Sequence, residues 1–296
     1  MQKQLIVNAD DLGMSQGINR GILEAHIEGI VSSSTAIVNL PASKAGIKLA
    51  QAEAPALGLG LHFNLTYGQP ILKAREVPSL VRSNGDFVSL ARGLSLYHHW
   101  RPKDIAAELS AQFERFTEYA GCLPDHLDSH QLVCSLSAEC REVILDIAET
   151  YHLPVRQGGR YLYSRFEEQF ASWGSLPKTI APSLFKRYPL KRHSHIFDRD
   201  HPSPDHFEYG FHNTRATVTQ LLDILENLPE GLTELVCHPG YPDIESDAYA
   251  HRELELNSLK DPQVKALIEA QHITLSTFAV LEDSSQDQKT LVSLGK

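Results

Sequence analysis

The chain has 296 residues, 42% of them hydrophobic and 22% charged, and carries a formal net charge of −10. That composition suits one large soluble domain, and the acidic balance argues against a nucleic-acid partner, which would call for clustered Lys and Arg. No apolar run approaches the roughly 18 residues that a membrane span needs, so no membrane partner is expected.

In chain order, apolar runs of strand length alternate with stretches of helical period. LIVNADDLG, residues 5–13, is a strand ending on two adjacent carboxylates, Asp10 and Asp11. MQKQ leads straight into it, which predicts no signal peptide. SQGINRGILEAHIEG follows as a helix capped by Ser15 and stopped by Gly29. SSTAIVNLP is a strand, ASKAGIKLAQAEAP a helix, and LGLGLHFNLT a strand by strict alternation. Residues 66–100 are loop-like, with a turn at SNGDF. The helix RPKDIAAELSAQFERFTEYAG precedes a strand-like PDHLDSHQLV, a helix SAECREVILDIAETYH and a short strand LPVRQ. Residues 157–212 resist assignment and carry a His-rich stretch. Order returns with the helix TRATVTQLLDILENL, the strand TELVCHPG, the helix DPQVKALIEAQ and the strand ITLSTF. The tail from 282 to 296 reads as a mobile segment.

Strands separated by helices indicate parallel βαβ units. Seven strands, with room for an eighth in 157–212, predict a single (β/α) barrel over 1–296, TIM-like or a distorted form of it, with outer helices. Cys122, Cys134, Cys140 and Cys237 make no CxxC pair and are expected as reduced thiols of a cytoplasmic protein.

The working face of such a barrel lies at the carboxyl ends of its strands. One Asp would serve as a helix cap; two side by side repel unless a cation or proton is shared between them. In the third strand His62, Asn64 and Thr66 share a face opposite Leu59, Leu61, Phe63 and Leu65, with a structural histidine as the plain alternative. In DHLDSHQ, His126, Asp128 and His130 are two apart and so point the same way, which is costly to bury without a partner. In TELVCHPG, Glu234, Val236 and His238 share a side; a histidine is the side chain suited to proton transfer at physiological pH, or else His238 simply caps the turn. Together these residues suggest one divalent cation held by a carboxylate and two imidazoles, with the second carboxylate free for proton transfer.

LIVNADDLG, GLGLHFNLT, DHLDSHQ and ELVCHPGY, in this order, resemble the successive blocks of the YdjC-like carbohydrate deacetylases, which include chitooligosaccharide deacetylases. VPSLV, NGDF and REL are further matching pieces. The resemblance implies a (β/α) barrel and metal-dependent removal of N-acetyl groups from amino sugars. It makes Asp11, His62 and His130 the metal ligands, Asp10 the general base and His238 the group near the leaving amine. The ion it implies is Mg2+, while two imidazoles suit Zn2+ as well; it also makes a homodimer an expectation. A small carbohydrate is the expected substrate, with Asn64, Asp128, Arg156 and Tyr241 as contacts. One departure stands out. Relatives acting on chitooligosaccharides continue past the metal histidine in a pattern like HHHVH, where this chain has HQLVC, so Leu132 and Cys134 replace imidazoles. That departure opens the alternative of a metal- and sugar-binding relative without activity. A two-metal phosphoesterase on a similar barrel would gather more ligands. His193, His195, His201, His206 and His212 are irregularly spaced and read as an active-site loop rather than a metal tract, and His98, His99 and Trp100 as surface residues rather than a sugar subsite.

Overall fold

In the computed structural model, residues 2–89, 100–156, 201–243 and 251–281 are described, without the side chains of 135 and 136. Seven strands occur among them: β1 Lys3–Leu12, β2 Ser33–Ala36, β3 Gly58–Phe63, β4 Leu127–Ser129, β5 His206–Glu208, β6 Gly231–Cys237 and β7 Thr274–Leu275. All pair in parallel, in the order β4-β3-β2-β1-β6-β5, and β7 joins the first residues of β1 at Gln4 and Leu5, ahead of the point where β2 takes over at Asn8. Beyond β4 the ladder continues: Arg156 N donates to Leu127 O, Leu127 N to Pro154 O, and Val155 N to Pro202 O, towards the segment leading into β5. The sheet therefore curls into a distorted (β/α) barrel, as expected.

Seven longer helices cover its outside: α1 Gln16–Ile27, α2 Ser43–Glu53, α3 Pro102–Ala120, α4 Ala138–Tyr151, α5 Val218–Glu226, α6 Arg252–Leu259 and α7 Pro262–Ala270. Their starts follow local chemistry. Ser15, Ser137, Thr217 and Asp261 each accept a hydrogen bond from a backbone N–H in the first turn. Gly121, at φ 76°, ends α3 in the left-handed region.

Strand alternation sorts side chains between two environments. Leu5, Val7, Ala9, Leu61, Phe63, Leu235 and Cys237 join Ile18, Ile22, Ile47, Leu109 and Phe116 in the main core between sheet and helices. Ile6, Leu232 and Phe278 form a separate cluster inside the barrel. Above them the interior turns polar.

Several expected strands are shorter. LPVRQ is reduced to one bridge between Val155 and Leu127, and ITLSTF to two residues. β4 stops at Ser129 because Gln131 (φ 54°) and Leu132 (φ 55°) adopt left-handed backbone that ends an extended run. Trp100, read as a surface residue, is buried in the main core. β5, His206–Glu208, falls in the stretch 157–212 that left room for an eighth strand. His98, His99, His193, His195 and the tail 282–296 lie outside the described residues.

Candidate active site

Strict alternation along β1 would send Asp10 inward and Asp11 out among the helices. Asp11 instead has φ 75°, and the pairing with β2 shifts register between Ala9 and Leu12. Aspartate tolerates this conformation better than most residues. The bulge turns both carboxylates to the same side, towards His62.

Asp11, His62 and His130 offer ligand atoms that all lie within 4.8 Å of one another, and all three side chains are buried. Asp11 Oδ1 is 2.9 Å from His130 Nδ1 and 3.4 Å from His62 Nε2. One carboxylate oxygen facing two imidazoles is a donor set that fits a divalent ion. Asp10, His62 and Asp128 form a second group of equal compactness. That one already holds a cation. Arg156 donates from Nη1 and Nη2 to the two oxygens of Asp10 at 2.8 and 2.6 Å, and its Nη1 is also 2.8 Å from Asp128 Oδ2. Its Nε donates to Glu234 Oε1 at 2.7 Å. The first group is thus the better metal site.

Thr35 and Asn8 complete the inner network. Thr35 Oγ1 donates to Asp128 Oδ2 at 3.0 Å and lies 3.1 Å from His62 Nδ1, while Asn8 Nδ2 donates to Asp10 Oδ1 at 2.9 Å. Asp128 Oδ1 holds His62 Nδ1 at 2.6 Å, leaving Nε2 towards Asp11. Burial opposes ionisation of both adjacent aspartates. Arg156 and His62 around Asp10, and His130 and Arg252 around Asp11, outweigh it and hold both carboxyls far below the ordinary carboxylate range. Burial would likewise push His62 down, but Asp128, Asp10 and Asp11 raise it to about 10. Burial keeps the Glu234 carboxyl above its ordinary value despite Arg156.

His238, at the end of β6, places Nε2 4.0 Å from Asp10 Oδ2. Its backbone N–H donates to Glu255 Oε2 at 2.5 Å, and the same oxygen lies 3.8 Å from His238 Nδ1. Glu255 and Arg252 both come from the start of α6. Tyr209 meets His238 edge-on, with ring centroids 6.4 Å apart. His212, next to it, is half-buried; burial and the nearby His238 lower its pKa.

The four residues expected to contact substrate occupy defined places. Asp128 and Arg156 belong to the inner network just described. Asn64 lies past the end of β3, where its Oδ1 accepts from the N–H groups of Thr66 and Tyr67 and its Nδ2 donates to Asn39 Oδ1 and Tyr67 O, so it shapes the loop instead of sharing a strand face with His62. Tyr241 donates its hydroxyl to Glu24 Oε2 at 2.7 Å. His126 does not reach the site with Asp128 and His130. Its Nδ1 is bonded to Asp125, and its ring lies flat on Phe278 with centroids 3.6 Å apart. Leu132, at the HQLVC departure, packs with Phe207 and Val236, and Cys134 is buried in the main core. Neither belongs to the Asp11–His62–His130 group. His206 bonds the Glu230 carbonyl and His212 the Tyr209 carbonyl, and neither joins a compact metal-ligating group among the described residues.

Thr35, Arg252 and Glu255 are the residues that sequence reasoning missed. REL was matched only as a piece of the family pattern and suggested no role, since Arg and Glu on a helix ordinarily face water.

The profile of the YdjC-like protein family matches residues 4–270. A carbohydrate deacetylase from Geobacillus stearothermophilus is 33% identical over 94% of this chain and 98% of its own length. A chitooligosaccharide deacetylase from Proteus mirabilis is 32% identical, with coverage of 94% and 98%. Among solved structures, an Enterococcus faecalis protein described as a candidate cellobiose-phosphate cleavage protein superposes with a TM-score of 0.77, at 28% identity over 95% of this chain and 99% of that one. Matched over nearly its whole length by the family profile and by relatives of the same extent, the chain belongs to the YdjC-like protein family.

Proposed function

We propose that the protein is a metal-dependent hydrolase that removes N-acetyl groups from amino sugars. The observation that carries this reading is the buried Asp11–His62–His130 group beside an ionised Asp10, with His238 Nε2 4.0 Å from Asp10 Oδ2. The names of the Geobacillus and Proteus relatives support carbohydrate deacetylation. A divalent ion held by Asp11, His62 and His130, Mg2+ by family resemblance or Zn2+ by ligand chemistry, would polarise the amide carbonyl and acidify the attacking water.

The remaining steps belong to the side chains. Asp10, fixed by Arg156, accepts the proton of the attacking water. His238, whose backbone N–H is held by Glu255, gives a proton to the departing amine, without which an amine anion could not leave. The products are acetate and the free amino sugar. Glycoside cleavage, which the description of the Enterococcus structure raises, needs a protonated carboxyl as acid. Asp10 and Asp11 are both held ionised, so neither suits that task.

The test is acetate release from N-acetylated mono- and oligosaccharides, with and without chelator and added Mg2+ or Zn2+. Release that chelation abolishes and an added ion restores is expected. Chelator-insensitive release would overturn metal dependence, and metal and sugar binding without any release would leave a non-catalytic relative.

A further inference from the structure

Asp11 presents its two oxygens to different partners. Oδ1 faces the His130 and His62 nitrogens at 2.9 and 3.4 Å, whereas Oδ2 accepts from Arg252 Nη2 at 2.7 Å. Arg252 is fully buried at the start of α6. Its Nη1 donates to the His238 carbonyl at 3.4 Å, and its own carbonyl accepts from Gly240 N at 3.3 Å. Glu255, one turn on, takes the His238 N–H. The first turn of α6 thus grips Asp11 and the end of β6 together.

A buried guanidinium next to a cation site is electrostatically unfavourable on its face. It makes physical sense if its task is to occupy an oxygen. A carboxylate with both oxygens free can bind a divalent ion through one or two of them, and a second oxygen fills a position that water and substrate require. We propose that Arg252 is a positioning residue that restricts Asp11 to coordination through Oδ1 alone and locks that geometry to His238. This rests on the metal-dependent reading above.

Co2+ titrated into the metal-free full-length chain, followed by its visible d–d bands, separates the two ideas. Wild-type protein that binds no Co2+ would sink the metal-dependent reading itself. With binding established, the coordination number of the ion carries the test, because losing Arg252 removes an outer partner of Asp11 but also a nearby positive charge, and these act on affinity in opposite directions. The d–d bands of Arg252→Met should weaken and shift, because a second carboxylate oxygen raises the coordination number. Arg252→Lys, which keeps a charged donor, should recover most of the wild-type band intensity and position. Arg252→Gln, too short to reach Asp11, is the second variant where the Met protein does not fold, with the same band changes expected. A folded Met or Gln variant that binds Co2+ with wild-type bands overturns the proposal, whatever happens to its unfolding midpoint.

Discussion

Two adjacent carboxylates persist at the end of β1 because each has its own arginine. Arg156 grips Asp10, and Arg252 holds the outer oxygen of Asp11. The DD pair, His62, His130 and His238 were legible in the sequence because motif order and strand ends mark them. Arg156 was expected only as a substrate contact and Arg252 in no role, since each pairing crosses more than 140 residues of chain (the closer spans 146). Asp10→Asn keeps the shape and removes the base. Co2+ binding should therefore stay within a few-fold of wild type while acetate release falls by about 10^2- to 10^4-fold; loss of binding would mean the two aspartates have exchanged roles. Arg156→Met would strand Asp10, Asp128 and Glu234 together in the barrel interior. Removing one partner of a buried ion pair costs about 3–5 kcal/mol, and urea unfolding should show a loss of that size. A loss under about 1 kcal/mol would contradict the charge balance drawn here.

Helices with a clear cap and period were read well, because both are local signals: Ser15, Ser137 and Asp261 all act as N-caps. The helix α6 was missed, and no side chain caps its start. Strand ends were read less well, because the backbone breaks at Asp11, Gln131 and Leu132 place non-Gly residues at positive φ, which composition does not announce. The α1 helix shows how local preference and tertiary contact conflict. Gly21 lies mid-helix, where Ala would ordinarily be better by about 0.5–1 kcal/mol. A Cβ there would meet Gly240 Cα at 2.4 Å, and Gly240 follows His238 by two residues. Neither backbone can yield as a flexible side chain would, so packing wins over propensity. Gly21→Ala should destabilise by about 1–3 kcal/mol and lower acetate release, because the β6 end carrying His238 must shift. A variant more stable than wild type with full turnover would show that α1 does not set that loop's position.

At the scale of the whole molecule, the barrel class followed from the alternation of strands and helices, but the charged character of its upper interior did not. TIM-type barrels are commonly filled by branched apolar layers; here Asp10, Thr35, His62, Asp128, Arg156 and Glu234 fill that space. With His62 raised to about 10, the metal-free protein carries a proton on that ring at neutral pH. The sign of its effect on stability is set by the two pKa values. It stabilises the metal-free fold fully below the unfolded value of 6.5, and that contribution fades as pH rises through about 10. Asp10 and Asp11 work the other way, contributing above their unfolded 3.8 and losing the contribution as pH falls through their lower folded values. Metal-free protein should therefore be most stable between those limits and weaken steadily into alkali. A divalent ion needs the neutral imidazole, so its binding must expel the His62 proton. Calorimetry in buffers of different ionisation heat should register about one proton released per ion near neutral pH. Bound ion stabilises by RT ln(1 + [L]/Kd), about 2.7 kcal/mol at a hundredfold excess over Kd. At fixed ion concentration the rise in Tm should accordingly be small near about pH 6 and larger near about pH 9. A Tm gain independent of pH across that range, with no proton released, would mean that His62 is already neutral before the ion arrives.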